Sequence, residues 1–429
     1  MPPHPDVIAD CVLSAFHALP AKFKPRTLAD GRREEDALTP SSTSSPPLTC
    51  AALATGMKCL PQNKLELAKG NVLHDWHAEV LAIRAFNRFL VDECADLAKK
   101  GFQVQQEGGW VRWRQHGQNA FDGGRESKDA ENEECQQPLE LREDVSIHMY
   151  CSEAPCGDAS MELVMMEQDD ATPWTTGSIP KATGESMLGR GHFDQLGIVR
   201  RKPARPDAPI TFSKSCSDKL ALKQCMSLLS GLTSMLLRPE RVYLSTLVLP
   251  KDQHVPHAVE RAFGRQGRMR AVAGVYESSM QESWRRAGYG FNPFEVKTTS
   301  REFEYSKRSA RTTNATSPAP SATPSNLSAL STAKKQEILI NGVLQGRKQF
   351  DPKGASWASR RSMWKAVLDV AGAVGVPVPQ SEMAEGSYAE MKSSKLLESR
   401  EAVKMDVWEL ALQGWKRNVS DEAWTLEVG

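Results

Sequence analysis

The stretch NVLHDWHAEVLAIRAF, residues 71–86, sets His77 and Glu79 in front of an apolar run spaced for a helix. Residues two apart on a helix do not share a face. The pair can converge only by straddling the helix start, with Glu79 aimed back past His77. That suits a histidine holding a metal and a carboxylate moving protons beside it. On its own an H-x-E pair is usually a structural accident, so the rest of the chain has to decide.

A second stretch, APCGDASMELVMMEQ (154–168), places Pro155 and Cys156 before a helical stripe of Met161, Val164 and Met165. A cysteine opening a helix has its thiolate favoured by the dipole and the free N–H groups, and zinc binds the thiolate. H-x-E followed by P-C is the pattern of a zinc site for hydrolytic deamination. Three ligands hold the ion, a fourth position takes water, and a glutamate outside the ligand set shuttles protons. The common P-C-x-x-C spacing would put the third ligand at 159, which is Ala159. Cys216, in SCSDK (215–219), is the candidate to complete the set. Read alone, that segment is a helix cap (Ser215 or Ser217) followed by an Asp218–Lys219 ion pair.

The chain has 429 residues, 54 basic and 53 acidic, so a nucleic-acid surface has to be a local patch. The nine cysteines are odd in number and scattered, which argues for reduced thiols rather than a disulfide framework. The first twenty residues lack signal-peptide character, and no window approaches the roughly 18 apolar residues of a membrane span. A soluble protein of the nucleus or cytoplasm is the expectation.

Alternation of apolar helical and strand-like segments predicts a mixed α/β domain over the whole chain. Helices are expected over 6–20, from His77 to about 99, after Cys156, over 215–236 and through 357–415. Strands are expected at LTCAALATGMKCL (48–60), VSIHMYCS (145–152) and ERVYLSTLVLP (240–250). Segments 31–48, 103–144, 168–190 and 307–335 read as flexible insertions; the last is rich in Ser, Thr, Ala and Pro.

VLHDWHAEV, MYCSEAPCGDAS and SCSDKLA together closely resemble the adenosine deaminase domain shared by tRNA adenosine deaminases and double-stranded-RNA editing deaminases. TGMKCL and VYLSTLVL also fit, and the likeness runs from about residue 5 to 425. The resemblance implies a cytidine-deaminase-like three-layer α/β/α core with extra C-terminal helices. It implies zinc held by His77, Cys156 and Cys216, with Glu79 as proton shuttle. It also implies a buried inositol hexakisphosphate held by Arg84, Lys219, Tyr388, Lys392, Lys404, Trp415 and Lys416, with Asp75 linking Lys219 to the metal shell. A central polyanion would explain basic residues inside apolar helical patterns, since a buried unpaired lysine is costly. The chain departs from the family at His74, often a polar amide; Ile83, one of a pair of arginines; Met57, often threonine; and Arg400, usually tyrosine.

Because the deaminase region begins almost at once, the resemblance favours the stand-alone tRNA-acting branch. Its substrate would be the adenosine at position 37, just 3′ of the anticodon, in the alanine tRNA stem-loop. Double-stranded RNA, a catalytically silent RNA-binding role and a free nucleoside are the alternatives. Two basic clusters are expected to meet phosphate: Arg200, Arg201, Lys202 and Arg205, and then Arg261, Arg265, Arg268 and Arg270.

Overall fold

The computed structural model describes residues 2–24, 48–101, 109–114, 137–167, 187–189, 194–202, 208–274, 279–306, 326–374, 376, 386–418 and 420–426. In chain order its elements begin with α1 (Pro5–His17), β1 (Ala52–Ala54), α2 (Ala78–Lys100), β2 (Val111–Trp113) and β3 (Leu139–Leu141). Next come β4 (Ile147–Tyr150), α3 (Met161–Met166), β5 (Met187–Leu188), β6 (Arg200–Arg201), α4 (Cys216–Met226) and β7 (Leu244–Pro250). Helices α5 (Pro256–Phe263), α6 (Arg270–Gly274) and α7 (Ser279–Arg286) precede β8 (Glu295–Thr299), β9 (Leu327–Thr332), β10 (Gln336–Ile340) and β11 (Val343–Leu344). Helices α8 (Arg360–Val374), α9 (Tyr388–Lys392) and α10 (Glu398–Leu410) close the chain.

This is the mixed α/β architecture expected, with the additional helices at the C-terminal end. One sheet is antiparallel in the order β1-β9-β10-β11, and a second is parallel in the order β4-β7-β8. Strand β7 lies in the middle of the parallel sheet. Every residue of LSTLVLP except Ser245 is buried, the continuous apolar run that a strand covered on both faces requires. Helix α1 packs on β4, β7, β8 and β1, and α2 packs on β1, β9, α4 and α8.

Helix α2 positions the site. It buries Leu81, Ile83, Ala85, Phe89, Leu90, Val91, Cys94 and Leu97, so its register in the core is fixed by a large apolar face. Burying a leucine such as Leu81 stabilises by about 2 kcal/mol. The parallel sheet supplies the other half. The chain leaves the carboxyl end of β4 directly into the loop carrying Cys156, where ligands of open α/β sheets characteristically bind.

The structure corrects several expectations. Segment 103–144 contains a hairpin: β2 and β3 pair antiparallel and bury Val111, Leu139 and Leu141. Near the end of segment 307–335 lies β9, whose Ser328, Ala329 and Leu330 are buried, so LSALST is a packed strand rather than part of a flexible insertion. Strand β5 falls inside segment 168–190. Helix α4 stops at Met226, because Ser227 takes φ +54° and turns the chain away. Positions 31–47, 115–136, 168–186 and 307–325 lie outside the described residues.

Candidate metal centre and active site

His77 is the residue immediately before α2, in extended conformation, and Glu79 lies in the first turn. The straddling arrangement expected from the spacing is therefore present. Cys156 does not open a helix. It precedes Gly157, whose φ of +104° leads into a 3₁₀ turn over Asp158–Ser160 before α3 begins. Cys216 does open one: it follows Ser215, whose hydroxyl accepts the Asp218 N–H and caps α4. The Asp218–Lys219 ion pair read from the sequence does not form. Asp218 pairs with Arg268 at 2.5 Å, and Lys219 pairs with Asp75.

One donor atom from each of His77, Cys156 and Cys216 lies within 4.8 Å of the other two. The Cys156 sulfur is 3.9 Å from His77 Nδ1, and it accepts the Cys216 backbone N–H at 3.3 Å. Tetrahedral zinc, with Zn–S about 2.3 Å and Zn–N about 2.05 Å, sets its ligand atoms roughly 3.5–4 Å apart, so the donor set fits that ion. Glu79 Oε2 stands 3.3 Å from the Cys216 sulfur, beside the cluster rather than in it. The Cys156 thiol is held well below its usual range, first by its contact with Cys216 and then by the Lys202 and His77 charges. His77 is pushed up to about 10: burial opposes the charge, and the anionic Cys156 outweighs it.

Asp75 is the hub behind the three donors. Its carboxylate accepts the His77 backbone N–H at 3.0 Å, the Ser213 hydroxyl at 2.5 Å, Lys202 Nζ at 2.9 Å and the Lys219 ammonium. Burial works against this carboxylate, yet Lys202 and Lys219 together hold it well below the usual range. Lys202 Nζ also lies 3.2 Å from the Cys216 sulfur.

That position overturns the RNA-contact expectation for Lys202, which is buried at 3% exposure, and for Arg200, at 1%. Arg200 spends its guanidinium on the carbonyls of Gly189 and Gln195. Arg201 is half-buried in β6, and Arg205 lies outside the described residues. In the second cluster, Arg261 binds Asp158 and Glu162, and Arg268 binds the buried Asp218. Arg265 and Arg270 remain exposed. A basic loop and a buried ion network have the same composition, and nothing in the sequence separated them.

Of the residues expected to hold the polyanion, Arg84 lies on α2, Lys219 on α4, Tyr388 and Lys392 on α9 and Lys404 on α10, while Trp415 and Lys416 follow α10. Arg84 donates to the Ala358 carbonyl at 3.1 Å. Lys392 pairs with Glu422 at 2.5 Å, and Lys404 with Glu401 at 2.8 Å. Tyr388 stacks on Trp424, and Trp415 stacks on Trp408. Lys416 offers its backbone carbonyl to Lys214. Two cations outside that set, Lys223 and Arg400, donate to the same Leu229 carbonyl, at 2.6 and 2.8 Å.

The adenosine-deaminase (editase) domain family matches residues 52–419, and the chain belongs to that family. It is 35% identical over 365 residues to the tRNA-specific adenosine deaminase 1 of Schizosaccharomyces pombe, covering 83% of each chain. It is 31% identical over 223 residues to the protein of that name from Saccharomyces cerevisiae, covering 49% of each. The double-stranded RNA-specific editase of Drosophila melanogaster is 26% identical over 236 residues, spanning 54% of this chain and 29% of its own. The mixed fold, the clustered donors and the family membership together define an adenosine-acting deaminase.

Proposed function

We propose that this chain converts adenosine to inosine in tRNA by zinc-dependent hydrolysis, at adenosine 37 beside the anticodon of alanine tRNA. The observation that carries the chemistry is the convergence of His77, Cys156 and Cys216 with Glu79 beside them. The likeness to tRNA-specific deaminases over most of the chain supports the substrate. His77, Cys156 and Cys216 would hold a zinc ion, which would supply the activation of water that lets it attack at neutral pH. Glu79 would pass one water proton to the purine ring nitrogen as the oxygen bonds to the ring carbon, then the remaining hydroxyl proton to the amine, whose carbon–nitrogen bond breaks to release ammonia. Asp75 and Lys202 hold the ligands in place. An adenosine in an anticodon loop can be extruded into such a pocket at modest cost.

Inositol hexakisphosphate is the second proposed component. The enclosed, like-charged Arg84, Lys404 and Lys392, with Lys219 reaching from the same region to Asp75, suit a polyanion. Helices α2 and α4 each run from the metal site towards these cations, so the anion would brace the elements that carry Glu79 and Cys216.

Incubation with alanine tRNA, a hairpin duplex and free adenosine, followed by sequencing for A-to-G changes and nucleoside analysis, tests the substrate. Inosine confined to the tRNA anticodon loop is expected. Editing of the duplex alone would overturn the tRNA assignment.

A further inference from the structure

The backbone from Gly56 to Leu60 runs antiparallel to the segment that carries His77. The Ala78 N–H donates to the Gly56 carbonyl at 2.9 Å, the Trp76 N–H to the Lys58 carbonyl at 3.0 Å, and the Leu60 N–H to the His74 carbonyl at 2.9 Å. Cys59 is thereby bridged to Asp75. Its half-buried thiol was absorbed by neither the donor set nor the proton shuttle. The Cys59 sulfur, one Asp75 oxygen and one His77 ring nitrogen all lie within 4.8 Å of one another. His77 therefore belongs to two triads, one with Cys156 and Cys216 and one with Cys59 and Asp75.

A histidine that binds a metal through one ring nitrogen carries a proton on the other, and the acceptor of that N–H fixes the ring. A carboxylate is a common acceptor. Asp75 is the carboxylate at hand, but it already receives the His77 backbone N–H, the Ser213 hydroxyl, Lys202 and Lys219. Four donors occupy the roughly four lone-pair positions that two carboxylate oxygens offer. The Cys59 sulfur, a weak acceptor, is the remaining partner beside the ring, and its contact favours the protonated imidazole. A second metal ion in the Cys59 triad is disfavoured, because a dication bound to Asp75 would stand against the Lys202 and Lys219 ammonium groups.

Resting on the zinc reading above, we infer that Cys59 is a positioning residue whose sulfur accepts the second His77 ring N–H, and that it stays outside the ligand set. It acts on the metal through the imidazole, holding the ring in the plane that Cys156 and Cys216 require. The rival role is packing alone, a small apolar side chain filling the space beside Asp75.

Wild type, Cys59→Val and Cys59→Ser separate the two roles. Valine fills the space and cannot accept a hydrogen bond, whereas serine accepts one but is less apolar. Zinc affinity of the full chain is read by competition with a chromophoric chelator. In the cobalt-loaded proteins, thiolate-to-cobalt charge-transfer absorbance counts the sulfur ligands. One ion per chain and the absorbance of two thiolates are expected in all three proteins. Cys59→Val should bind zinc roughly tenfold more weakly, with Cys59→Ser close to wild type. Wild-type affinity in Cys59→Val, or a larger loss in Cys59→Ser than in Cys59→Val, would make the thiol a packing group and overturn the inference. Weaker cobalt absorbance in both variants, or two ions in the wild type, would make Cys59 a ligand and overturn it equally. If the wild type takes up neither metal, the zinc reading falls as well.

Discussion

Lys202 Nζ stands 2.9 Å from an Asp75 carboxylate oxygen and 3.2 Å from the sulfur of Cys216. One ammonium therefore touches both the metal-ligand set and the carboxylate that holds the His77 backbone. Lys202→Met removes a charge from an ion cluster whose other members stay buried, which typically costs about 3–5 kcal/mol. Loss of such a supporting contact also weakens metal binding by roughly 10–100-fold. Zinc content by atomic absorption, together with the thermal midpoint, checks this. A variant with full zinc and an unchanged midpoint would show that Lys202 is dispensable.

Glu79 places a carboxylate oxygen 3.3 Å from the Cys216 sulfur, beside the three donors rather than among them. Glu79→Gln keeps the shape and removes the proton carrier. The expected outcome is stoichiometric zinc with inosine formation reduced by about 10²–10⁴. Normal turnover by this variant would remove Glu79 from the mechanism. Stripping the wild type with a chelator should abolish activity, and added zinc should restore it.

The convergence of His77, Cys156 and Cys216 was legible in the sequence because zinc chemistry demands particular residue types, and the three stand in short motifs. Lys202 was not. It sits in a run of basic residues, GIVRRKPARP, that reads as a solvated patch. Only the bridges Met187–Arg200 and Arg201–Lys214 show that the run enters the fold. The helix over 78–100 was readable from its apolar period, but the β2–β3 hairpin was not. Three-residue strands are too short for a period to emerge, and the chain between them is polar.

Arg268 tests the reassignment of the second basic cluster. Its guanidinium, 4% exposed, binds the fully buried Asp218 at 2.5 Å, so it should contribute to folding and not to RNA affinity. Arg268→Met strands a buried carboxylate and should lower stability by about 3–5 kcal/mol. The slope of log affinity against log salt for alanine tRNA should be unchanged in the folded fraction. Replacing the exposed Arg265 and Arg270 together should instead reduce that slope by up to about 2 if both meet phosphate.

His74 gives the protein an acid limit. Burial, followed by the nearby Arg360, lowers its pKa to about 4, although Asp421 at 2.8 Å pulls the other way. The unfolded chain takes up this proton near the ordinary value of 6.5, whereas the folded one resists it. The stabilisation is therefore complete above about pH 6.5 and is lost as pH falls towards 4, amounting to at most about 3 kcal/mol. Denaturant midpoints measured from pH 7.5 to 4.5 should decline across this window. His74→Gln should flatten the decline; an identical slope in that variant would assign it to other groups.

Gly157 separates the two cysteine-bearing segments, and here the glycine is required twice over. Its φ of +104° is unfavourable for any other residue, and an added Cβ would lie 2.3 Å from Ser215 Oγ and 2.4 Å from Ser215 Cβ. Ser215 caps α4, so it cannot yield without moving Cys216. The two segments are further stitched by Ser217 N–H to the Cys156 carbonyl at 3.0 Å and by the Ser217 hydroxyl to the Pro155 carbonyl at 2.9 Å. Gly157→Ala should therefore push Cys156 and Cys216 apart and lower zinc occupancy and activity, beyond the 1–3 kcal/mol or so of backbone strain. Gly101→Ala supplies the control: its φ is +78°, but no atom lies within 4 Å of the added methyl. That variant should lose stability while keeping its zinc. Equal zinc loss in both would trace the effect to strain and global unfolding, and full zinc in Gly157→Ala would show that the cysteines tolerate the displacement.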